Sequence, residues 1–166
     1  MDILSQLLTD KYKQIKEEHN WTSVSRIIGE AIEECVITIP CPICNYKSLT
    51  KYKMNQKAKD IHCEKCSCQI QIKGQKHKKT QQSSLKLLGA DYKTTCTSIK
   101  ENNIHYLVLM YSVIGDKYTI HNIYFIDHAN INNNCIIPRK PLSSTAKRAG
   151  WQGCTLVFNI FKSVNV

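Results

Sequence analysis

The chain has 166 residues, with 23 Lys+Arg against 13 Asp+Glu, a formal net charge of +10 and a sequence pI of about 9.2. That is the size of a single domain, 1–166, and a charge balance suited to a polyanionic partner. No apolar run approaches the roughly 20 residues needed to span a bilayer, so no membrane partner is expected. The segment Met1 to Asp10 lacks the basic flank and long apolar run of a signal peptide, which points to a reducing, cytoplasmic interior and argues against a disulfide scaffold for the 9 cysteines.

Ile3, Leu4, Leu7, Leu8, Tyr12 and Ile15 recur at helical spacing and predict a first amphipathic helix. Thr22 or Ser23 can cap a second helix with the stripe Val24, Ile27, Ile28, Ala31 and Ile32. Both are expected to pack on a sheet. Glu30, Glu33 and Glu34 on the second helix read as a solvated face; the alternative is that one of them reaches a metal site as an extra ligand. Val36 to Ile39 is β-branched and reads as a strand stopped by Pro40.

Cys41-Pro42-Ile43-Cys44 and Cys63-Glu64-Lys65-Cys66 are two Cys-x-x-Cys pairs at the spacing of a tetrahedral zinc site, a knuckle spanning 41–66. Zn²⁺ bound there is expected to govern whether the region folds. Cys35, Cys68, Cys96, Cys135 and Cys154 read as small buried apolar residues. The spacer Asn45 to Lys59 interleaves Lys47, Lys51, Lys53, Lys57 and Lys59 with Tyr46 and Tyr52, a loop or short hairpin that suits a nucleic-acid backbone and a solvated surface equally well.

Alternation in a strand puts Gln71 and Lys73 on one face and Ile72 in the core. Pairing of Lys59-Asp60-Ile61 with Cys68 to Lys73 then brings a carboxylate, an amide oxygen and an ammonium to one small site; a solvated hairpin face is the commoner alternative for three such residues without further context. Gly74 to Lys79 follows as the densest basic run, with Lys76 and Lys78 as phosphate contacts. Gln81 to Ser84 reads as a linker, Ala90 to Lys100 as a helix, and Ile104 to Val113 with Tyr118 to Ile126 as a hairpin of buried strands turning at Gly115-Asp116-Lys117. Ala129 to Ile137 is expected to be an exposed loop, and Gly153 to Ile160 a last strand. Between them Arg139, Lys140, Lys147 and Arg148, with Trp151, suit bidentate contact to phosphates and guanine edges. The alternative for Ala149-Gly150-Trp151 is packing against the sheet, with only the cations facing DNA.

The Asp60, Gln71, Lys73 arrangement resembles the PD-(D/E)xK nuclease hairpin. The stretch from Pro138-Arg139-Lys140-Pro141-Leu142 to Lys147-Arg148-Ala149-Gly150-Trp151-Gln152-Gly153-Cys154 resembles the Dpn-type restriction endonucleases and dam-replacing proteins, which carry a four-cysteine knuckle around such a hairpin. The resemblance covers roughly residues 20 to 160, by the order and spacing of those motifs. It implies an α/β fold with a restriction-endonuclease-like core, a mixed sheet flanked by helices and the zinc knuckle as an insertion. It implies a Mg²⁺-dependent, type II restriction-like endonuclease acting on double-stranded DNA at a short GATC-like site, adenine-methylated in the Dpn branch. In that reading Asp60, the Gln71 side-chain carbonyl and the Ile72 backbone carbonyl hold Mg²⁺, while Lys73 orients or deprotonates the attacking water. Gln71 stands where the family pattern has Glu, and the sequence ends at Val166, where the pattern continues into a C-terminal winged-helix DNA reader. These two departures favour the alternative, a zinc-stabilised DNA-binding or regulatory module with an inactive nuclease fold.

Overall fold

The structure is a computed structural model that describes residues 1–52, 59–77, 84–87, 91–146, 148–157 and 162–163. Two helices, α1 (Asp2–Glu18) and α2 (Val24–Val36), precede three strands, β1 (Leu49–Lys51), β2 (Ile61–Cys63) and β3 (Gln69–Lys76). Then come β4 (Ser84–Leu87), α3 (Tyr92–Glu101) and the long hairpin β5 (His105–Ile114) and β6 (Lys117–Ile126). Last are β7 (Ile136–Pro138), β8 (Cys154–Val157) and β9 (Lys162–Ser163). The central sheet is six-stranded in the order β1-β2-β3-β5-β6-β9, with β3 and β5 parallel and the other neighbours antiparallel. A second, three-stranded sheet runs β4-β8-β7.

Strand alternation sorts the core into two layers. Leu107, Leu109 and Tyr111 of β5 join Ile70 and Ile72 of β3 against α1 and α2, while Tyr106, Val108 and Met110 face the small sheet and α3. A bulge keeps β6 in phase with this division. Met110 pairs with Asn122 and Tyr111 with Ile120, leaving His121 as the extra residue, so Tyr118 and Ile120 share a face with Ile123 and Phe125. On β3, a Cβ at Gly74 would lie 2.3 Å from Cδ1 of the buried Ile32, so α2 sits directly over the strand.

The first helix buries Leu4, Leu8, Tyr12 and Ile15 as its periodicity requires, but Ile3 is exposed. Ser23 is the N-cap residue of α2, and Asp91 caps α3 by accepting from Thr94 N at 2.8 Å. Val36 to Ile39 is not a strand: α2 runs through Val36, and Ile32, Cys35, Val36 and Ile39 are all buried. Their spacing continues the helical stripe, and burial of that stripe outweighs β-branched propensity. The segment 129–137 is more ordered than an open loop, holding 3-10 turns at His128–Asn130 and Asn133–Cys135 before β7 begins at Ile136. Ser84 opens β4 rather than closing a linker, while 81–83, Ala90 and 158–160 lie outside the described residues. No helix among the described residues is long and apolar enough to cross a membrane.

Candidate metal centre and active site

The two Cys-x-x-Cys turns have the same backbone. In the first, Asn45 N donates to Cys41 O at 2.9 Å and Cys41 N to Tyr46 O at 2.9 Å; in the second, Ser67 N donates to Cys63 O at 2.8 Å and Cys63 N to Cys68 O at 3.0 Å. Each turn is closed by a left-handed residue, Asn45 and Ser67, both at φ 59°. Backbone N–H groups of Ile43 and Cys44 reach the Cys41 sulfur, that of Tyr46 reaches Cys44 and that of Cys66 reaches Cys63. The Sγ atoms of Cys41, Cys44, Cys63 and Cys66 all lie within 4.8 Å of one another, with Cys41–Cys66 at 3.8 Å and Cys44–Cys63 at 3.5 Å. A zinc tetrathiolate with bonds of about 2.3 Å has sulfur–sulfur edges of about 3.8 Å, so this cluster can bind zinc. Burial pushes the Cys63 thiol up, but hydrogen bonds from the Ser48 hydroxyl at 2.9 Å and the Cys66 N–H bring it down to about 6, ready to act as a thiolate. Cys68 is not simply a buried apolar residue. Its Sγ lies 3.6 Å from that of Cys41, against the rim of the cluster.

The hairpin β2–β3 carries the second group. Ile61 pairs with Ile70 and His62 with Gln69, and one step further Asp60 N donates to Ile70 O at 3.2 Å. The Asp60 carboxylate turns back on the strand, where Oδ2 accepts from Ile72 N at 2.6 Å. Lys73 is next in sequence. Burial lowers its ammonium from the ordinary lysine range, and the charges of Asp60 and Glu33 oppose that shift in part. Among the described residues Lys73 forms no direct ion pair; the ion pairs there are those of Lys51 and His105.

Glu33 enters this group from α2. The helix glutamates are not a solvated face: Glu30, Glu33 and Glu34 all converge on Lys51 of β1, Glu34 at 3.1 Å and Glu33 at 3.4 Å. Burial pushes the Lys51 ammonium down, and its hydrogen bonds to Glu30 and Glu34, with the charges of Glu30 and Glu33, more than reverse this. One cation cannot settle three carboxylates, and Glu33 is left in excess. Burial and then the charge of Asp60 lift its carboxyl to about 7 against the pull of Lys51. Lys51 is thereby taken out of the set of spacer lysines open to phosphate; Lys53 and Lys57 lie outside the described residues.

Gln71 and Lys73 face the other side of the sheet from Ile70 and Ile72, toward a cavity of about 400 Å³ whose far wall includes Lys86 of β4 and Thr94 and Ser98 of α3. The basic segment is separate from these groups in the chain and forms the connection between β7 and β8. It is closed by Leu142 N to Trp151 O at 2.9 Å and Gly150 N to Leu142 O at 3.1 Å. Arg148 lies over the Trp151 ring, 4.7 Å from its centroid. Lys140, Arg148, Ala149 and Gly150 are exposed, so Ala149 and Gly150 do not pack the sheet, while Arg139 and Trp151 are half-buried. Lys76 is exposed at the end of β3; Lys78 and Lys147 lie outside the described residues.

Sequence reasoning placed Glu33 on a solvated face, with a place in the metal site for one of the three helix glutamates only as the alternative. The available signal was its position one helical turn before Ile37 on a face shared with two other acids, opposite a basic spacer. With these groups described, one comparison with known proteins bears on them: the family model described as DpnI, Dam-replacing family, matches residues 7–164. The match takes in both Cys-x-x-Cys turns, the carboxylate–lysine hairpin and the basic connection, and the family implies a restriction-like endonuclease with DNA as substrate; the chain belongs to the Dam-replacing family.

Proposed function

We propose that the chain is a Mg²⁺-dependent, type II restriction-like endonuclease that hydrolyses phosphodiester bonds at a short GATC-like site in double-stranded DNA, adenine-methylated as in the Dpn branch. The observation that carries this reading is the clamp of Asp60 Oδ2 on Ile72 N at 2.6 Å, next to the half-buried Lys73. It leaves the second carboxylate oxygen of Asp60 for a cation, with Lys73 adjacent in the chain. The chain acts as one PD-(D/E)xK-like domain, 1–166, with a structural zinc ion held by Cys41, Cys44, Cys63 and Cys66.

The donor set fits a hard dication. Asp60, Gln71 Oε1 and the Ile72 carbonyl are oxygen ligands of the kind Mg²⁺ takes. The carboxyl of Glu33, lifted to about 7 partly by Asp60, reports negative charge that its surroundings do not balance. Mg²⁺ bound there would stabilise charge on the phosphoryl oxygens and acidify a bound water. Asp60 fixes the position of that cation through its clamp on β3. Lys73, whose ammonium is pushed down from the ordinary lysine range by burial, orients the attacking water. As the water oxygen bonds to phosphorus it gives up a proton to solvent, the phosphorus bond to the bridging oxygen breaks, and that oxygen leaves with a proton taken from solvent. Lys76, Lys78, Arg139, Lys140, Lys147 and Arg148, with Trp151, hold the duplex by phosphate and base-edge contacts.

Gln71 is the observation that favours the second reading, a zinc-stabilised DNA-binding or regulatory module, because its amide removes one negative unit from the site. Glu33 can restore that unit from α2, which supports the enzyme reading. Methylated and unmethylated plasmid incubated with Mg²⁺ separate the two. The parent should cut, and Lys73→Ala should reduce cutting by about 10²- to 10⁴-fold with zinc content and DNA affinity retained. Cutting by Lys73→Ala at the parental rate overturns the assignment.

A further inference from the structure

The cavity over β3 is larger than the proposed hydrolysis needs. A metal, a water and one phosphoryl group occupy little of its roughly 400 Å³, a volume within the usual range for a small-molecule site. Its lining is divided by chemistry. Leu87, Ile99, Ile104 and Tyr106, all buried, form an apolar floor. Lys73, Lys86 and Ser98 stand on the walls, and no carboxylate is among the described lining residues. Lys86, like Lys73, has no ion-pair partner among the described residues. The Ser98 hydroxyl oxygen accepts from Asn102 Nδ2 at 2.9 Å, which leaves its proton to donate. Thr95, by contrast, already gives its hydroxyl proton to Asp91 O at 2.6 Å.

Two cations and a free hydroxyl above an apolar floor match an anion joined to a flat, weakly polar ring. We propose that this cavity is a site for a single nucleotide of the cleaved strand, with its phosphate between Lys73 and Lys86 and its base on the floor made by Leu87, Ile99, Ile104 and Tyr106. The inference rests on the nuclease reading for the identity of the strand, but the site itself stands on its lining. A duplex is far too wide to enter, so the occupant is one nucleotide out of the base stack. Lys86 is then a positioning residue. It fixes the nucleotide that carries the scissile phosphate without touching the water or the metal.

The test uses the full, zinc-loaded chain and deoxyadenosine 5′-monophosphate as the probe, titrated by calorimetry. The nucleotide should bind about tenfold or more tightly than either inorganic phosphate or deoxyadenosine, since only it uses both walls and floor. Lys86→Ala should weaken it by about fivefold or more, and Ser98→Trp, which fills the cavity, should abolish binding with zinc content unchanged. In cleavage assays Lys86→Ala should raise KM with a smaller change in kcat. Nucleotide binding that is indifferent to both variants, or no tighter than that of inorganic phosphate, overturns the site even if the parent cuts DNA. A parent that fails to cut while nucleotide binding shows both sensitivities overturns the nuclease reading and leaves the nucleotide site standing.

Discussion

The cysteine cluster and the carboxylate–lysine group flank the same short hairpin, β2–β3, and settle their charges in opposite ways. Around the cluster each turn supplies its own sulfur with backbone N–H donors, and Asn45 and Ser67 close the two turns with the same left-handed geometry. The thiols come within tetrahedral distance through contacts local to each turn, and the four together can hold a dication. The carboxylate–lysine group is assembled from α2, the residue before β2, and β3, and its charges do not cancel. Three glutamates meet one lysine, Glu33 is pushed up to about 7, and Lys73 is pushed down with no ion pair among the described residues. Groups held at such odds with their surroundings mark places where a fold accepts instability in return for chemistry. The cluster can bind zinc, and the carboxylate–lysine group is the one to which the proposed hydrolysis is assigned.

The sharpest way to break this contrast is at the cluster. Zinc on four thiolates contributes roughly 10 to 16 kcal/mol of apparent binding free energy at neutral pH, more than the whole stability of a typical domain. Cys63→Ser removes the thiolate that Ser48 and the Cys66 N–H activate, and should leave the chain without stoichiometric zinc and without cooperative unfolding. Elemental analysis and circular dichroism read both. A variant that keeps its fold without zinc would show that the cluster is dispensable and that the contrast is misplaced.

The same contrast explains what could be read from the residues alone. The knuckle was legible because its ligands come in two short pairs whose spacing carries the geometry, and the hairpin because a period of two puts Gln71 and Lys73 on one face. The residues alone left Glu33 between a solvated face and a metal site, since a glutamate on a helix has the same spacing whether it meets water or a half-buried lysine. Only the distant pairing of β1 with β2, Lys51 opposite Ile61, decides which. Ser84 to Leu87 is too short to show alternation that stands out from a linker, and it becomes a strand by pairing with Cys154 to Val157. Val36 to Ile39 went to the helix because burial of a stripe wins over local propensity.

A smaller effect is expected at Gln71, where the hairpin lacks a carboxylate. Gln71→Glu adds a charge to the proposed Mg²⁺ site, and should lower the Mg²⁺ concentration for half-maximal cleavage by about tenfold. The same change places a carboxylate against the wall of the Lys73–Lys86 cavity, which should loosen deoxyadenosine 5′-monophosphate in the absence of Mg²⁺. A Mg²⁺ titration of cleavage reads the first effect. An unchanged midpoint would mean that Gln71 does not face the metal and that Glu33 and Asp60 alone supply its charge.

The finest distinction lies in Glu33, whose folded-state carboxyl is lifted to about 7 from an ordinary value of 4.5. A carboxyl raised on folding contributes its full stability below the unfolded value and loses it as pH rises through the folded one. The parent should therefore weaken between about pH 4.5 and pH 7 relative to a variant that cannot ionise there. Glu33→Gln should match the parent near pH 5 and exceed it near pH 8 by about 1 kcal/mol, or about 2 to 4 °C in Tm, after allowing for solvent screening of this partly exposed group. Mg²⁺ supplies the discriminating arm. It should raise the Tm of the parent near pH 8 and close the gap, because a bound dication stabilises the folded state in proportion to its occupancy. The variant, lacking one of the charges that attracts Mg²⁺, should gain less and cut more slowly. Thermal scans of both proteins at the two pH values, with and without Mg²⁺, read the whole pattern. If Glu33→Gln gains no stability at the higher pH, the carboxylate is already balanced by Lys51 and Glu33 has no part in the metal site.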